Sequence, residues 1–317
     1  MSVIIPTRDC LPYLPTAIAS VEAQAVAGVE ILVIDDGSSD GSAEWLRAKQ
    51  RSSPWLTLIE GFGDGPNAAR NRGIEAAAAP LLAFLDADDS WLPGKLGPQL
   101  AFHQAAPDVS LSFTDYLHVD TAGHEYGTCF EYWPAFGKVA TKAAVGSMYC
   151  RLSHASARLL AENVVGTSTV VVRKKAVQNL AGFDTSLRSA ADWDLWLRLA
   201  AIGAVGFTTA LGTNHIIHRT GSVSADGRLR IACMRRILAT HAPAVVVGPG
   251  GAAAVRRARA NVLATEADLA RAEGRHRAAI AARLGSLWRT PSKRLARAAT
   301  GDVLRAICMG RRLCTTA

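Results

Sequence analysis

The stretch that decides the fold is LLAFLDADDSWLP, residues 81–93. Five apolar residues, Leu81 to Leu85, suffice for a buried strand, and they run directly into Asp86, Asp88 and Asp89. On an extended segment, side chains two apart share a face, so Asp86 and Asp88 converge while Ala87 faces away. Carboxylates this close repel one another unless a hard cation or a network of donors offsets their charge. An all-oxygen set suits Mg2+ or Mn2+, and such metals are usually completed by the phosphates of a substrate. A strand followed by an acidic, helix-capping turn has the same composition, so the neighbouring sequence has to decide.

Upstream, the chain alternates between two periodicities. Ser2 to Pro6 is a short β-type run, Leu14 to Gln24 a helix, and Val29 to Ile34 a strand that ends in DDGSSD, residues 35–40. Ser42 to Gln50 reads as a helix, Leu56 to Glu60 as a strand, and Asn67 to Ala79 as the helix that delivers the chain to Leu81. Such alternation predicts a parallel sheet with helices on its faces. Ligands of these sheets bind beyond the C-terminal strand ends, where Pro6-Thr7, Asp35-Asp36 and Asp86-Asp88 would meet along one rim. The GxGxxG and GxxxxGK[ST] phosphate loops are both absent, and Gly61-Phe62-Gly63-Asp64-Gly65 has the wrong spacing. A metal on the DxD is the natural substitute, with Arg70 or Arg72 as further cationic partners; a solvated helix face is the plainer role for the two arginines.

Downstream, Val109 to Tyr116 alternates like a strand, Asp120-Thr121-Ala122-Gly123 is a turn, and residues 125–165 carry little periodicity. Thr169 to Val172 reads as a β-branched strand, followed by a helix from Lys174 to Leu180. The segment ADWDLWLRL, residues 191–199, is an amphipathic helix with Asp192 and Asp194 in its first turn. Acids there are favoured by the helix dipole alone, by roughly 0.3–1 kcal/mol.

With 317 residues, 33.5 kDa and 49% hydrophobic residues, the chain can bury a large α/β core and carry an appendage. Six cysteines without a CxxC pair argue against a zinc ribbon and a disulfide framework, and fit a reducing cytosol. MSVIIPTRD has no basic leader, so no signal peptide is expected. The longest apolar run, Ala242 to Val255, is 14 residues with Pro and Gly inside, short of the ~20 a span needs.

The net charge of +8 hides an asymmetry. From Asp226 onward there are 18 Lys+Arg against 5 Asp+Glu, a net +13, which leaves −5 for residues 1–225. The expected division is an acidic body, 1–225, and a basic Ala/Arg-rich helical region, 226–317, that faces a membrane surface or nucleic acid. In the latter, Arg256 to Ala272 and Arg275 to Leu287 read as two helices broken near Gly274, with Val255, Val262 and Leu269 at heptad spacing. Lys293 to Leu313 sets Leu295, Val303, Leu304 and Ile307 among arginines, a pattern of membrane-surface helices and also of plain solvated ones.

Taken together, SVIIPTRD, EILVIDDGSSDGS, NAARNRGIEAA and LLAFLDADDSWLPGKL, in this order and at these spacings, resemble the first half of a family 2 glycosyltransferase. The resemblance covers roughly residues 2–225. It implies a GT-A type, Rossmann-like α/β fold, with a mixed, mostly parallel sheet flanked by helices and a C-terminal helical appendage. It further implies a nucleotide-sugar donor (UDP-, GDP- or dTDP-linked), a glycan or lipid-linked acceptor, and Mn2+ or Mg2+ as cofactor. Under it, Pro6 and Thr7 line the base pocket, Asp36 accepts from the base, Asp86 lies near the ribose, Asp88 holds the metal, and Arg70 and Arg72 face the donor. Asp192 becomes the catalytic base of an inverting transfer and Trp193 a wall for the acceptor sugar. His218 becomes a diphosphate or metal ligand, with His215 a weaker candidate. Ser222 and Ser224 become loop residues that order over the donor, and residues 125–165 the acceptor-side loops. Arg8 and Asp9 stand where the family has an aromatic and Asn, and Ala191 where it has Glu. The expected setting is cytoplasmic, peripheral to an anionic membrane face reached by the basic helices, with no nucleic acid partner. Two rivals remain: a haloacid-dehalogenase-type phosphatase with Asp86 as nucleophile, and a catalytically silent carbohydrate-binding protein on the same fold.

Overall fold

The computed structural model describes residues 1–143, 148–217 and 226–314. It opens with β1 (Ser2–Thr7), α1 (Leu14–Glu22), β2 (Glu30–Asp35), α2 (Ser42–Ser52), β3 (Leu56–Glu60), α3 (Pro66–Ala76) and β4 (Leu81–Phe84). β1 pairs in parallel with β2 and β4, and β2 with β3, so four strand C-termini end on one edge. Every residue of β1 and β4 is buried, as a strand covered by helices on both faces requires.

After β4 come β5 (Ser90–Trp91), α4 (Leu96–Ala105), β6 (Val109–Val119), β7 (Glu125–Thr128), α5 (Cys129–Tyr132), α6 (Pro134–Ala143), β8 (Cys150–Arg151) and α7 (Ala155–Ala161). A 3-10 turn, Thr167–Thr169, precedes β9 (Val171–Arg173), α8 (Lys174–Asn179), α9 (Ala191–Ile202) and β10 (Ala204–Ile216). The ten strands form one mixed sheet in the order β3-β2-β1-β4-β9-β6-β10-β5, with β7 beside β6 and β8 beside β10. β9 is antiparallel to both β4 and β6, and so joins the parallel first half to the parallel β6-β10 pair.

Three local expectations are corrected. Residues 125–165, read as loops, contain β7, α5, α6, β8 and α7; these elements are too short to show a period. The strand expected at Thr169 begins at Val171, because Thr169 N–H and Oγ1 both bond back to Gly166 O and close a turn. The extended run ends at Phe84, and Asp89 N–H bonds Asp86 O at 2.9 Å, so the acids sit on a turn.

By its internal contacts the chain comprises two units, Met1–Ala155 with Asn163–Ser222, and Ser156–Glu162 with Val223–Ala317. Composition put the boundary at 225 and gave no sign that residues 156–162 go with the second unit. That unit contains α10 (Gly227–Val246), α11 (Gly251–Ala272), α12 (His276–Arg289) and α13 (Lys293–Cys314). Asp226 caps α10 by accepting from Leu229 N–H at 3.0 Å. In α12 Arg283 is buried and pairs with Asp302 at 3.1 Å and Asp268 at 2.5 Å, while Ser286 Oγ donates to Ala260 O. Among the described residues no helix is long and apolar enough to cross a membrane.

Helix α3 lies directly on β1 and β2 because Gly73 has no side chain. A Cβ there would stand 2.5 Å from Ile4 Cγ2 and 2.9 Å from Ile34 Cδ1, both fully buried. Ala is worth up to ~1 kcal/mol over Gly inside a solvated helix. Gly73→Ala is nevertheless expected to destabilise the first unit by about 1–3 kcal/mol through overpacking. Denaturant unfolding checks the sign, and a stabilised variant would refute the close approach.

Candidate active site at the C-terminal edge of the sheet

The strand register aligns the polar clusters. Thr7 stands opposite Asp35, Asp36 N–H bonds Thr7 O at 2.8 Å, Gly61 N–H bonds Asp35 O at 2.7 Å, and Leu85 N–H bonds Ile4 O at 3.0 Å. Thr7, Asp36, Gly61 and Asp86 thus leave the sheet side by side. Pro6 and Thr7 are buried in β1, and Thr7 Oγ1 has no hydrogen-bond partner among the described residues.

Asp36 is buried and holds a loop. Its Oδ1 accepts from Gly63 N–H at 3.0 Å and Asp64 N–H at 3.2 Å, and Oδ2 accepts from Gly65 N–H at 2.7 Å. Gly61 permits this, since a Cβ there would stand 2.7 Å from Asp36 Oδ1. Arg72 lies 3.7 Å from Asp36, pairs with Asp64 at 2.6 Å, and its guanidinium rests 4.3 Å from the centre of the Phe62 ring. The spacing that excluded a phosphate loop therefore belongs to a segment whose N–H groups are occupied by a carboxylate. Asp9, in place of the expected Asn, ties β1's exit to the DDGSSD segment: Asp9 N–H donates to Ser38 Oγ at 3.0 Å, and Asp9 Oδ1 accepts from Ser39 N–H at 2.7 Å.

The turn after β4 divides its acids. Ala87 and Asp89 are buried, whereas Asp86 and Asp88 are partly open, the pairing that alternation predicted, here produced by a turn. Arg70, itself buried, pairs with Asp86 at 2.5 Å and bonds Asn67 Oδ1 at 3.1 Å. Neither arginine is a merely solvated helix face: Arg70 is paired with Asp86, and Arg72 with Asp64 and Asp36. Asn67 and Asn71 clasp Leu187 and Phe183 through main-chain bonds of 2.8–2.9 Å.

Among the described residues, three groups meet the Asp89 carboxylate. Ser168 Oγ donates to Oδ2 at 2.5 Å, Ile216 N–H to Oδ1 at 3.0 Å, and His215 Nδ1 lies 3.1 and 3.2 Å from its two oxygens. Burial disfavours the charged imidazole, but Asp89, with Asp86 and Asp88 nearby, outweighs it and pushes His215 up to about 9. Its side chain is 41% exposed, so solvent screens part of that attraction. His215 is thereby engaged by Asp89; His218, Ser222 and Ser224 lie outside the described residues.

Sequence reading missed Ser168. Its Oγ also accepts from Asp86 N–H at 3.1 Å, and its carbonyl accepts from Trp91 Nε1 at 2.7 Å and Thr213 Oγ1 at 3.1 Å. The neighbouring Thr167 Oγ1 donates to Asp192 Oδ2 at 3.1 Å. One short turn therefore fastens the acidic segment and Asp192 to the same backbone. The signal available was a run of three small hydroxyls, Thr167-Ser168-Thr169, too common in loops to point at a site.

Asp192 opens α9, after Ala190 with φ +56°. Burial raises its pKa above the ordinary carboxylate range, against the opposing pull of Trp193 N–H, Arg70 and Thr167. Asp194 bonds Arg198 at 2.8 Å, and Arg198 reaches Leu180 O and Gly182 O, which makes Asp194 structural. Trp193 is 3% exposed, so its ring belongs to the packing of α9 and offers almost no surface to an acceptor.

Whether the residues fit a divalent cation can be read from their donor set. Among the described residues no three His, Cys, Asp or Glu side chains converge into a metal cage. Asp86 and Asp88 provide one or two hard oxygens on the open side of the turn, which is how Mg2+-type ions are held when ligand phosphates complete them. The fit is to a cation bound with a phosphate ligand.

These features define a class: a GT-A fold with an acidic turn at the sheet's C-terminal edge. Residues 2–148 match the Glycosyl transferase family 2 model. The match spans 147 of the 317 residues, just under half of the chain. It is 23% identical over 220 residues to chondroitin synthase of Escherichia coli, which covers 69% of this chain and 29% of that protein. It is 30% identical over 205 residues to the succinoglycan biosynthesis protein ExoU of Rhizobium meliloti (64% of this chain, 57% of that one). The matched length is thus about a third to just over half of these relatives. In fold it is similar to S. aureus TarS 1-349 in complex with UDP-GlcNAc, with a TM-score of 0.64, 17% identity, and 93% of this chain and 82% of that one covered. It is also similar to the mannosyltransferase PcManGT of Pyrobaculum calidifontis in complex with GDP-Man and Mn2+, with a TM-score of 0.58, 19% identity, and 99% and 82% covered.

Ser168→Ala removes one donor from buried Asp89 and one acceptor from Asp86 N–H. The expected cost is about 1–3 kcal/mol, seen as a melting temperature lower by roughly 3–10 °C. Ser168→Thr, which keeps the hydroxyl, should recover most of it; an unchanged melting point in Ser168→Ala would deny the junction its role.

Proposed function

We propose that the chain transfers a sugar from a nucleoside-diphosphate donor to a hydroxyl acceptor by a single displacement with inversion. The observation that carries this reading is the shared anchorage of the acidic turn and Asp192 on residues 167–168, which holds a donor-side carboxylate pair and a candidate base in one edge of the sheet. The donor is proposed to be UDP-, GDP- or dTDP-linked, in keeping with the UDP-GlcNAc and GDP-Man bound by the two similar structures. A glycan or lipid-linked precursor is the proposed acceptor, since the relatives include a chondroitin synthase and a succinoglycan biosynthesis protein. The proposed setting is cytoplasmic, peripheral to the membrane.

In this scheme Asp192 takes the proton from the acceptor hydroxyl as it attacks the anomeric carbon. Burial suits it to that task, because a base works best with a pKa drawn toward the working pH. Thr167 holds the carboxylate's second oxygen and so fixes which one faces the acceptor. Arg70 holds Asp86 toward the ribose side, and Asp36 holds the 63–65 segment against the base. Asp88, with Asp86, would hold Mn2+ or Mg2+, which when bound supplies neutralising charge for the departing diphosphate. No covalent intermediate on the protein is needed. Buried Trp193 leaves the acceptor contact to exposed aromatics such as Tyr132, 53% exposed and edge-on to Trp133.

The phosphatase rival requires Asp86 to attack phosphorus. Asp86 instead spends an oxygen on Arg70 at 2.5 Å, and the family match leaves that reading unsupported. A silent binding protein is separated by product: a transferase slowly releases nucleoside diphosphate from a sugar nucleotide in the presence of Mn2+, and a binding module does not.

Asp192→Asn should keep donor affinity within about twofold while transfer falls by ~10² to 10⁴-fold, the range for a lost general base. Turnover and calorimetry on the one variant test this, and normal transfer would remove Asp192 from the mechanism. Asp88→Ala should abolish the Mn2+-dependent part of nucleotide binding; equal calorimetric affinity in both proteins, with and without chelator, would refute the metal assignment.

A further inference from the structure

Helix α12 is built inside out. Its inward stripe is Ala279, Arg283 and Ser286, all buried, with Arg283 neutralised by Asp268 and Asp302. Its outward stripe, at spacings of four, three and four, is Arg277, Ala281, Leu284 and Trp288. Leu284 is 50% exposed and Trp288 82%. A helix that merely bordered solvent would put its arginine out and its tryptophan in.

The next helix continues the pattern. Leu295, Ala299 and Asp302 of α13 face inward or are shielded, whereas Lys293, Arg297, Thr300 and Leu304 form an outward stripe, and Leu304 is 56% exposed. From His276 to Ala306 there are seven Lys+Arg and one acid, Asp302, which is buried at 1%. The outer surface of this stretch therefore carries no exposed carboxylate. Lys293 and Arg294 follow Trp288 by only five and six residues across a short connection, and Arg289 lies 5.7 Å from its ring centre.

We propose that this outward face of α12 and α13 is a docking surface for an anionic lipid bilayer, with Trp288 and Leu284 seated at the headgroup boundary and Lys293, Arg294 and Arg297 on the lipid phosphates. A single-sign cationic rim around an exposed Trp and Leu is the composition of helices that lie in a membrane interface. Trp is favoured at that boundary because its ring is apolar and its N–H stays wet. Protein interfaces deplete lysine and pair their charges, and among the described residues from His276 to Ala306 the one acid, Asp302, is buried. The inference deepens the membrane setting proposed above by naming the surface, and it rests on that setting and not on sugar transfer.

The test uses the full chain and vesicles of phosphatidylcholine, alone or with phosphatidylglycerol, without any nucleotide sugar. The protein should cosediment with the anionic vesicles and not with the neutral ones, and salt at ~1 M should release it. Trp288→Ser should weaken binding by roughly tenfold, and Lys293→Gln, Arg294→Gln and Arg297→Gln together by about a hundredfold. All four positions are exposed, so melting temperatures should stay at the wild-type value and exclude misfolding as the cause. Equal binding to neutral vesicles, binding indifferent to salt, or no binding to either vesicle overturns the proposal. Loss of a dimer in Trp288→Ser, without vesicle binding by the wild type, would overturn it in favour of a second copy on this face.

Discussion

Everything at the edge of the sheet depends on how four carboxylates can be crowded without flying apart. Asp36, Asp86, Asp88 and Asp89 all follow strand ends that the parallel register brings side by side. The compensation differs in kind: main-chain N–H groups for Asp36, an arginine for Asp86, and a hydroxyl, a histidine and an N–H for Asp89. Two of these side chains, Asp36 and Asp89, are almost wholly buried, where an unpaired charge is most costly. Asp88, like Asp86, is partly open, whereas Ala87 between them is buried.

The same compensation explains why the second half of the sequence is needed. Ser168 precedes β9, and His215 and Ile216 end β10, so the antiparallel and parallel additions to the sheet deliver the partners of an acid encoded far upstream. Lys95 adds a buried prop, 4.2 Å from the Trp91 ring and 3.0 Å from Gln99 Oε1; burial pushes its pKa down to about 7. Gln99 in turn bonds Ser112 and Thr169 carbonyls. The WLPGKL tail of the acidic motif is thus a brace between β5, α4 and the Thr167–Thr169 turn.

Much of the fold was legible. The alternation up to Leu85 is strong because β1, β2 and β4 each hold a buried apolar run and helical segments separate them, and the basic shift after residue 225 falls near where the second unit resumes. What was not legible lies where structure is set by distant partners. The 125–165 region is built from elements of two to ten residues, below the length at which a period shows. Asp36 reads as an open acceptor in sequence and proves to be filled by the 63–65 segment, and Trp193 reads as a platform and is buried. Ser168 could not be singled out, because it is informative only when the two partners of its hydroxyl and the two of its carbonyl are known.

The partners of Asp89 carry one more consequence, for the order of events in folding. His215 lies 126 residues beyond the acid it pairs with, and Leu92 N–H bonds Gly212 O at 2.9 Å. On a ribosome, the first four strands can associate while the acidic turn still lacks His215 and β5 its neighbour. Loops this long are slow to close, so the site is the last part of the first unit to mature although its defining motif is among the earlier parts to be made. A nascent chain halted before β10 would hold a sheet whose lip of carboxylates still lacks His215 and the Ile216 N–H.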